Sequence, residues 1–136
     1  MSQENVEELR RLLGEGILDR ARVHRWYDEA WHPDVDWRAM EDAPDDVGVT
    51  QGRDALRDHV DDWVQMFDDL RLDPEEFIDA DDQVIAVLRL SGRAKQSGVE
   101  TDLRWVVAYT PKAGRIVSGR EYATRQEALE ASGLRE

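Results

Sequence analysis

The chain has 136 residues, a formal net charge of −13 and no cysteine. That length suits one core, so residues 1–136 are expected to form a single domain. The charge speaks against nucleic-acid backbones and anionic membranes as partners, and the missing cysteines exclude disulfides, thiolate catalysis and cysteine-based metal sites.

The first residues, MSQENVEELRR, show no apolar stretch of the kind a signal peptide carries. No apolar run approaches membrane-spanning length, so a cytoplasmic location is the default expectation. Five tryptophans and clear hydrophobic periodicity speak against disorder.

Ser2 is placed to cap a first helix, with Glu4, Glu7 and Glu8 near its positive end. Its apolar stripe is Val6, Leu9, Leu13 and Ile17. Gly14 and Gly16 weaken the last turn, so the helix is expected to end or bend near Leu18. Asp19 is placed to cap a second helix with the stripe Val23, Trp26, Tyr27, Ala30 and Trp31, stopped by Pro33. Val35 to Met40 reads as a short strand with Val35, Trp37 and Ala39 on one face. The acidic segment 41–52, EDAPDDVGVTQG, is either a lid or a solvated connection. A third helix, Arg53 to Asp69, would bury Leu56, Val60, Trp63, Val64 and Phe67, with His59 at the edge of the stripe.

Leu70 to Ala80 reads as an edge strand interrupted by Pro74. Asp81 and Asp82 turn the chain into Val84 to Arg93, a strand apolar enough to be covered on both faces for part of its length. After a turn at Gln96-Ser97-Gly98, residues 99–123 read as a long hairpin. With Pro111 to Gly114 as a four-residue turn, Thr110 faces Arg115. The pairs then run back as Ala108 with Val117, Val106 with Gly119, and Arg104 with Glu121. One face carries Arg104, Val106, Ala108, Val117, Gly119 and Glu121, mostly small residues with room for a ligand or helices. The other carries Leu103, Trp105, Val107, Tyr109, Ile116 and Tyr122. A one-residue bulge would change these partners. Arg104–Glu121 reads either as a surface ion pair or as a charged pair at the edge of a cavity. Thr124 and Glu127 form a capping box for a last helix through Ala131, which Gly133 closes. Helices first and a meander of strands later indicate the α+β class.

His24, His32 and His59 sit on separate elements without ligand spacing, so no metal site is expected. The Asp pairs at 45–46, 61–62, 68–69 and 81–82 read as solvated faces and turns. There is no phosphate-cradling glycine loop or nucleophile elbow, and no cofactor is expected. Trp37 and Trp63 read either as core or as the floor of an apolar pocket. His59 reads either as a partly exposed helix residue or as a ligand contact.

Four segments in order carry a resemblance: HPDVDW after the second helix, QGRDALRDHV opening the third, FIDADDQVIAV, and the hairpin around AGRIV. Together they resemble the SnoaL-like branch of the NTF2-like superfamily, which includes ketosteroid isomerase-like proteins. The resemblance covers essentially the whole chain. It implies a cone-shaped α+β fold, with a curved antiparallel sheet wrapped around three N-terminal helices and a short C-terminal helix. It also implies a pocket in the cone and a homodimer through the outer sheet face, here Trp105, Tyr109 and Tyr122.

Ketosteroid isomerases use a carboxylate base, with a Tyr and a protonated Asp as oxyanion donors. Here those positions fall on Trp37, on Leu13 or a neighbour, and on Val106. Asp36 lies beside Trp37 but points the other way. Steroid isomerisation by that mechanism is therefore not expected. SnoaL-type polyketide cyclases place an acid/base Asp on the last strand, in a pattern similar to GKIVEHWD. GRIVSGRE puts Glu121 there, with Gly119 and Arg120 in place of the His and Trp. Arg104 opposite would lower the pKa of Glu121, and burial would raise it.

Two function classes stay open. One is a small-molecule-binding protein, extending to an acid/base isomerase, cyclase or hydratase acting on an apolar carbonyl compound. Glu121 would be its acid/base group, with Trp37, His59, Trp63, Arg104 and Val106 around the ligand. The other is a non-catalytic ligand-binding or dimerisation module. A cavity filled by Trp37 and Trp63 favours the module, and an open pocket holding Glu121 favours the first class.

Overall fold

Residues 2–13, 18–38 and 49–133 are described by the computed structural model, without the side chains of residues 2, 3 and 49–51. The elements are α1 (Ser2–Leu13), α2 (Arg20–Ala30), β1 (Trp31–Arg38), β2 (Val49–Gln51), α3 (Arg53–Met66), β3 (Phe67–Ala80), β4 (Gln83–Ala94), β5 (Glu100–Lys112), β6 (Arg115–Tyr122) and α4 (Arg125–Ala131). The Ser2 cap, Gly14, Gly16 and Ile17, Ala39 and Met40, and the acidic loop as far as residue 48 lie outside what is described.

Local chemistry sets most element ends. The Asp19 carboxylate accepts from the Arg22 N–H at 2.8 Å and starts α2. Thr124 Oγ1 accepts from the Glu127 N–H at 3.2 Å and starts α4. Trp31, expected in the α2 stripe, is instead the first residue of β1. Pro33 biases the residue before it toward extended backbone, and the chain has already left the helix there. Its burial is unchanged by the reassignment, at 1% exposure. α3 likewise stops at Met66, and Phe67 opens β3. The end of the segment expected to be a loop forms the short edge strand β2.

The strands form one curved sheet in the order β2-β1-β6-β5-β4-β3. Its pairings are antiparallel except for β1 beside β6, which is parallel. Helices α1, α2 and α3 cover the inner face. There Leu9, Val23, Tyr27 and Leu56 pack with Val84, Leu88, Val107 and Tyr109. α4 crosses the outer face and buries Ala128 and Leu129 against Ile85, Val106 and Ala108. β4 is thus covered on both sides, which is why its sequence is apolar at successive positions. Asp61 departs from the solvated face expected for it. It is 7% exposed, with Oδ2 3.4 Å from Arg20 Nε and 3.6 Å from His24 Nε2, and it ties α3 to α2.

The hairpin corrects the expected register. Its turn is two residues long, Ala113 (φ 53°) and Gly114 (φ 79°), the left-handed pair that matches strand twist. Lys112 faces Arg115 and Pro111 faces Ile116. The next pair is Thr110 with Ser118, so Val117 bulges out. From there Tyr109 faces Gly119, Val107 faces Glu121, and Val106 faces Tyr122. Shortening the turn by two residues keeps every side chain on its face. The single bulged residue moves the far half of β6 to the opposite one. Glu121 therefore joins Trp105, Val107 and Tyr109, and this face turns inward.

Three expectations fall with the register. Arg104 does not face Glu121; it lies on the outer face and pairs with Glu75 at 2.7 Å. Val106 packs beneath α4, on the face away from Glu121. Trp105 and Tyr109 are not on the outer face, so they offer no aromatic dimer surface; Tyr122 alone of the three is there, packed with the α4 cluster. What the outer face carries instead is charge, including a two-pronged Arg89–Asp102 pair at 2.8 and 2.9 Å.

Candidate functional site: an aromatic cavity around Glu121

The bulge in β6 aims Glu121 into the cone, and the parallel neighbour β1 supplies its partner. Trp37 Nε1 donates to Glu121 Oε2 at 2.7 Å. Trp37 lies opposite Gly119 in the β1–β6 pairing. A Cβ added to Gly119 would overlap Cζ3 of that indole and sit 2.6 Å from its Cε3. The glycine is therefore the space in which the Trp37 ring lies. Asp36, on the other side of β1, pairs with Ser118 and faces away.

Further rings close around this pair. Trp31 stacks on Tyr27 with centroids 4.8 Å apart and meets Trp26, Trp37 and Tyr109 at 5.3, 5.7 and 6.3 Å. Trp37 and Tyr109 are 5.9 Å apart. From α3, His59 and Trp63 contribute a tilted pair at 5.0 Å, and β5 contributes Trp105. All five tryptophans border one cavity of about 50 Å³.

Burial raises the pKa of both Tyr27 and Tyr109, and the nearby Glu121 charge raises them further. For Tyr109 the Tyr27 hydroxyl adds to the effect. Both phenols stay protonated. The indole N–H groups of Trp31 and Trp105 are buried and have no acceptor. No Lys or Arg borders the cavity among the described residues. What lines it is one carboxylate, one imidazole, two phenols, five indoles and aliphatic side chains. Such a site can hold a small organic molecule, exchange a proton with it through the carboxylate, and donate hydrogen bonds to it.

The structure thus brings Glu121, Trp37, His59 and Trp63 together, and leaves Arg104 and Val106 outside. The sequence reading missed Tyr27, Trp31, Trp105 and Tyr109 as site residues. The signal was present as the α2 stripe and the Trp105-Val107-Tyr109 alternation. What it lacked was the identity of the inner face.

Two wider hollows carry no such constellation. One, about 320 Å³, lies between α1 and α2 beside Leu13 and Leu18, which flank residues outside the description. The other, about 590 Å³, lies among the charged side chains of the outer face, such as Asp68, Arg89 and Asp102. Among the described residues no three His, Asp or Glu side chains gather as a metal ion would require, and no helix is long and apolar enough to cross a membrane.

With this geometry in place, comparison with known proteins is informative. The SnoaL-like domain family matches residues 6–119. The chain belongs to that family. Solved structures agree on the fold of this SnoaL-like protein. A candidate isomerase from Bacillus subtilis superposes with a TM-score of 0.70 at 20% identity, covering 98% of this chain and 96% of its own. A candidate SnoaL-like polyketide cyclase from Jannaschia gives 0.68 at 18% identity, with 96% and 92% covered. A Catenulispora acidiphila protein of ketosteroid isomerase-like fold, solved in complex with trimethylamine, gives 0.61 at 15% identity, with 83% of each chain covered. No curated protein matches the sequence.

Proposed function

We propose that this SnoaL-like protein binds a compact organic molecule in its aromatic cavity and engages it through Glu121. The observation that carries the reading is a single carboxylate set among aromatic walls, with its Oε2 fixed by the Trp37 N–H at 2.7 Å. Size narrows the ligand. A cavity of about 50 Å³ has room as it stands for about one or two waters, a third of the roughly 150 Å³ that holds a benzene, so even a compact ligand requires its walls to yield. A polycyclic substrate would require several tryptophans to swing aside. The Catenulispora protein of the same fold, solved in complex with trimethylamine, supports the reading that this fold takes compact ligands.

Because all five tryptophans border the cavity, their fluorescence reports entry of a ligand. Compact ketones, alcohols and amines titrated one at a time are expected to give saturable changes for at least one class. Glu121→Gln should weaken binding of that class by about tenfold or more, as expected for a lost charged contact. Saturable binding that ignores the Glu121→Gln change would remove Glu121 from the function.

A second reading, acid–base turnover of a compact carbonyl compound, is favoured by the unpartnered indole N–H groups of Trp31 and Trp105. Glu121 would take a proton from the carbon beside the carbonyl while an indole N–H donates to the oxygen as charge develops there. This is the isomerase, cyclase or hydratase class of chemistry. Exchange of such protons with deuterated water, followed by NMR with wild type and Glu121→Gln, tests it.

A further inference from the structure

We propose that the hollow of about 320 Å³ between α1 and α2 is a second binding site, taking a small organic anion with an apolar body. It does not depend on the reading of the aromatic cavity. The first support is a local reversal of charge. Across the chain, acidic residues outnumber basic ones by 31 to 18. Around this hollow the order is inverted. Arg11 from the last turn of α1 and Arg22 and Arg25 from α2 border it, against Glu29 alone among the described residues. Arg22 has a further interaction of its own, so the inference rests on Arg11 and Arg25. Both are exposed, so their guanidinium groups can turn toward a ligand. The planar guanidinium fork matches carboxylate and phosphate oxygens two at a time.

The second support is the apolar part of the lining. Leu13, Leu18, Trp26 and Leu72 border the hollow, and the last three also border the aromatic cavity. Trp26 is held in this shared wall. Its N–H donates to the Leu12 carbonyl at 2.6 Å, and its ring meets Trp31 at 5.3 Å. That hydrogen bond takes up one of the carbonyls at the C-terminus of α1, which would otherwise repel an anion. A bare inorganic anion would leave the apolar lining uncovered, whereas an arylalkyl acid would cover it. The third support is size. An apolar cavity of roughly 150 Å³ holds benzene, and this hollow has about twice that room, enough for roughly ten to twelve non-hydrogen atoms. That places it within the usual range of ligand clefts.

The test titrates hydrocinnamate, its neutral amide, phenyl phosphate and inorganic phosphate into the full chain in about 0.05 M NaCl. Calorimetry reads affinity, and the indole N–H resonance of Trp26, assigned through Trp26→Phe, reports the place of binding. The net charge of −13 repels anions at long range, so saturable anion binding is a local property. Hydrocinnamate or phenyl phosphate is expected to saturate about tenfold or more tighter than the amide or inorganic phosphate, and to shift the Trp26 resonance. The tighter of the two names the head group as carboxylate or phosphate ester. Arg11→Gln and Arg25→Gln should each weaken that anion severalfold, and the double variant about tenfold or more. Glu29→Gln should tighten it about twofold, a gain that unfolding cannot mimic. The amide binding as tightly as the anion overturns the proposal. Inorganic phosphate binding as tightly reduces the hollow to a cationic patch and also overturns it. So does an anion affinity unchanged in the folded double variant, or no saturable signal from any probe. Each of these leaves the reading of the aromatic cavity standing, because that reading is tested through Glu121→Gln.

Discussion

Gly119 is the residue on which the site geometry turns. Its missing side chain is where the Trp37 indole lies, and that indole fixes the Glu121 carboxylate. Gly119→Ala would force the ring outward against Trp31 and Tyr109, its neighbours at 5.7 and 5.9 Å. Overpacking of this kind costs about 1–3 kcal/mol. Urea unfolding should show that loss, and ligand binding should weaken because the Trp37 donor leaves Glu121. A variant of wild-type stability and affinity would show that the ring has another place to go. At this scale the sequence was partly legible. Glu121 stood at a recognisable place in GRIVSGRE, and Trp37, His59 and Trp63 lay on readable stripes. Gly119 was visible only as a departure from the cyclase pattern, because its role depends on a neighbouring strand far away in sequence. Tyr27 read as part of the α2 stripe and Tyr109 as part of an outer dimer face; both are core, at 3% and 2% exposure. No sequence pattern shows that a carboxylate lies close enough to raise their pKa values.

At the scale of elements, the bulge at Val117 decides which face of β6 looks inward. The hairpin and its position were readable from alternation and from the turn segment Pro111-Lys112-Ala113-Gly114, although only its last two residues form the turn. The parity was not, because a bulged residue leaves the apolar alternation on either side intact. Deleting Val117 removes the extra residue while Thr110–Ser118, Tyr109–Gly119 and Val107–Glu121 keep their pairing, so β6 pairs flush with β5 and Glu121 still faces inward. The deletion should therefore fold, keep the near-ultraviolet dichroism of the tryptophan cluster and retain ligand binding. Loss of both would mean that the bulge sets more than the parity of β6.

For the molecule as a whole, the α+β class was legible because the helices precede the meander, and each stripe finds a sheet face to cover. The surface poses a different question, since two electrostatic effects oppose each other. The outer face carries ion pairs, Arg89–Asp102, Arg104–Glu75 and Arg125–Glu76, which salt would screen. All are exposed, and pairs in that setting contribute little net stability. Against them stands general repulsion. With 31 acidic and 18 basic residues, pairing every cation would still leave 13 carboxylates without one. Such an excess disfavours the compact state, and salt relieves it. The repulsion should win because it sums over the whole surface. Raising KCl from about 0.02 M to about 0.5 M shortens the screening length from tens of ångströms to a few. The melting temperature should then rise by several degrees, on the order of 1 kcal/mol for a chain of this size. Scanning calorimetry across that range decides it. A fall would mean that the Arg–carboxylate ladder on the outer face is a cooperative network, worth more than its separate exposed pairs.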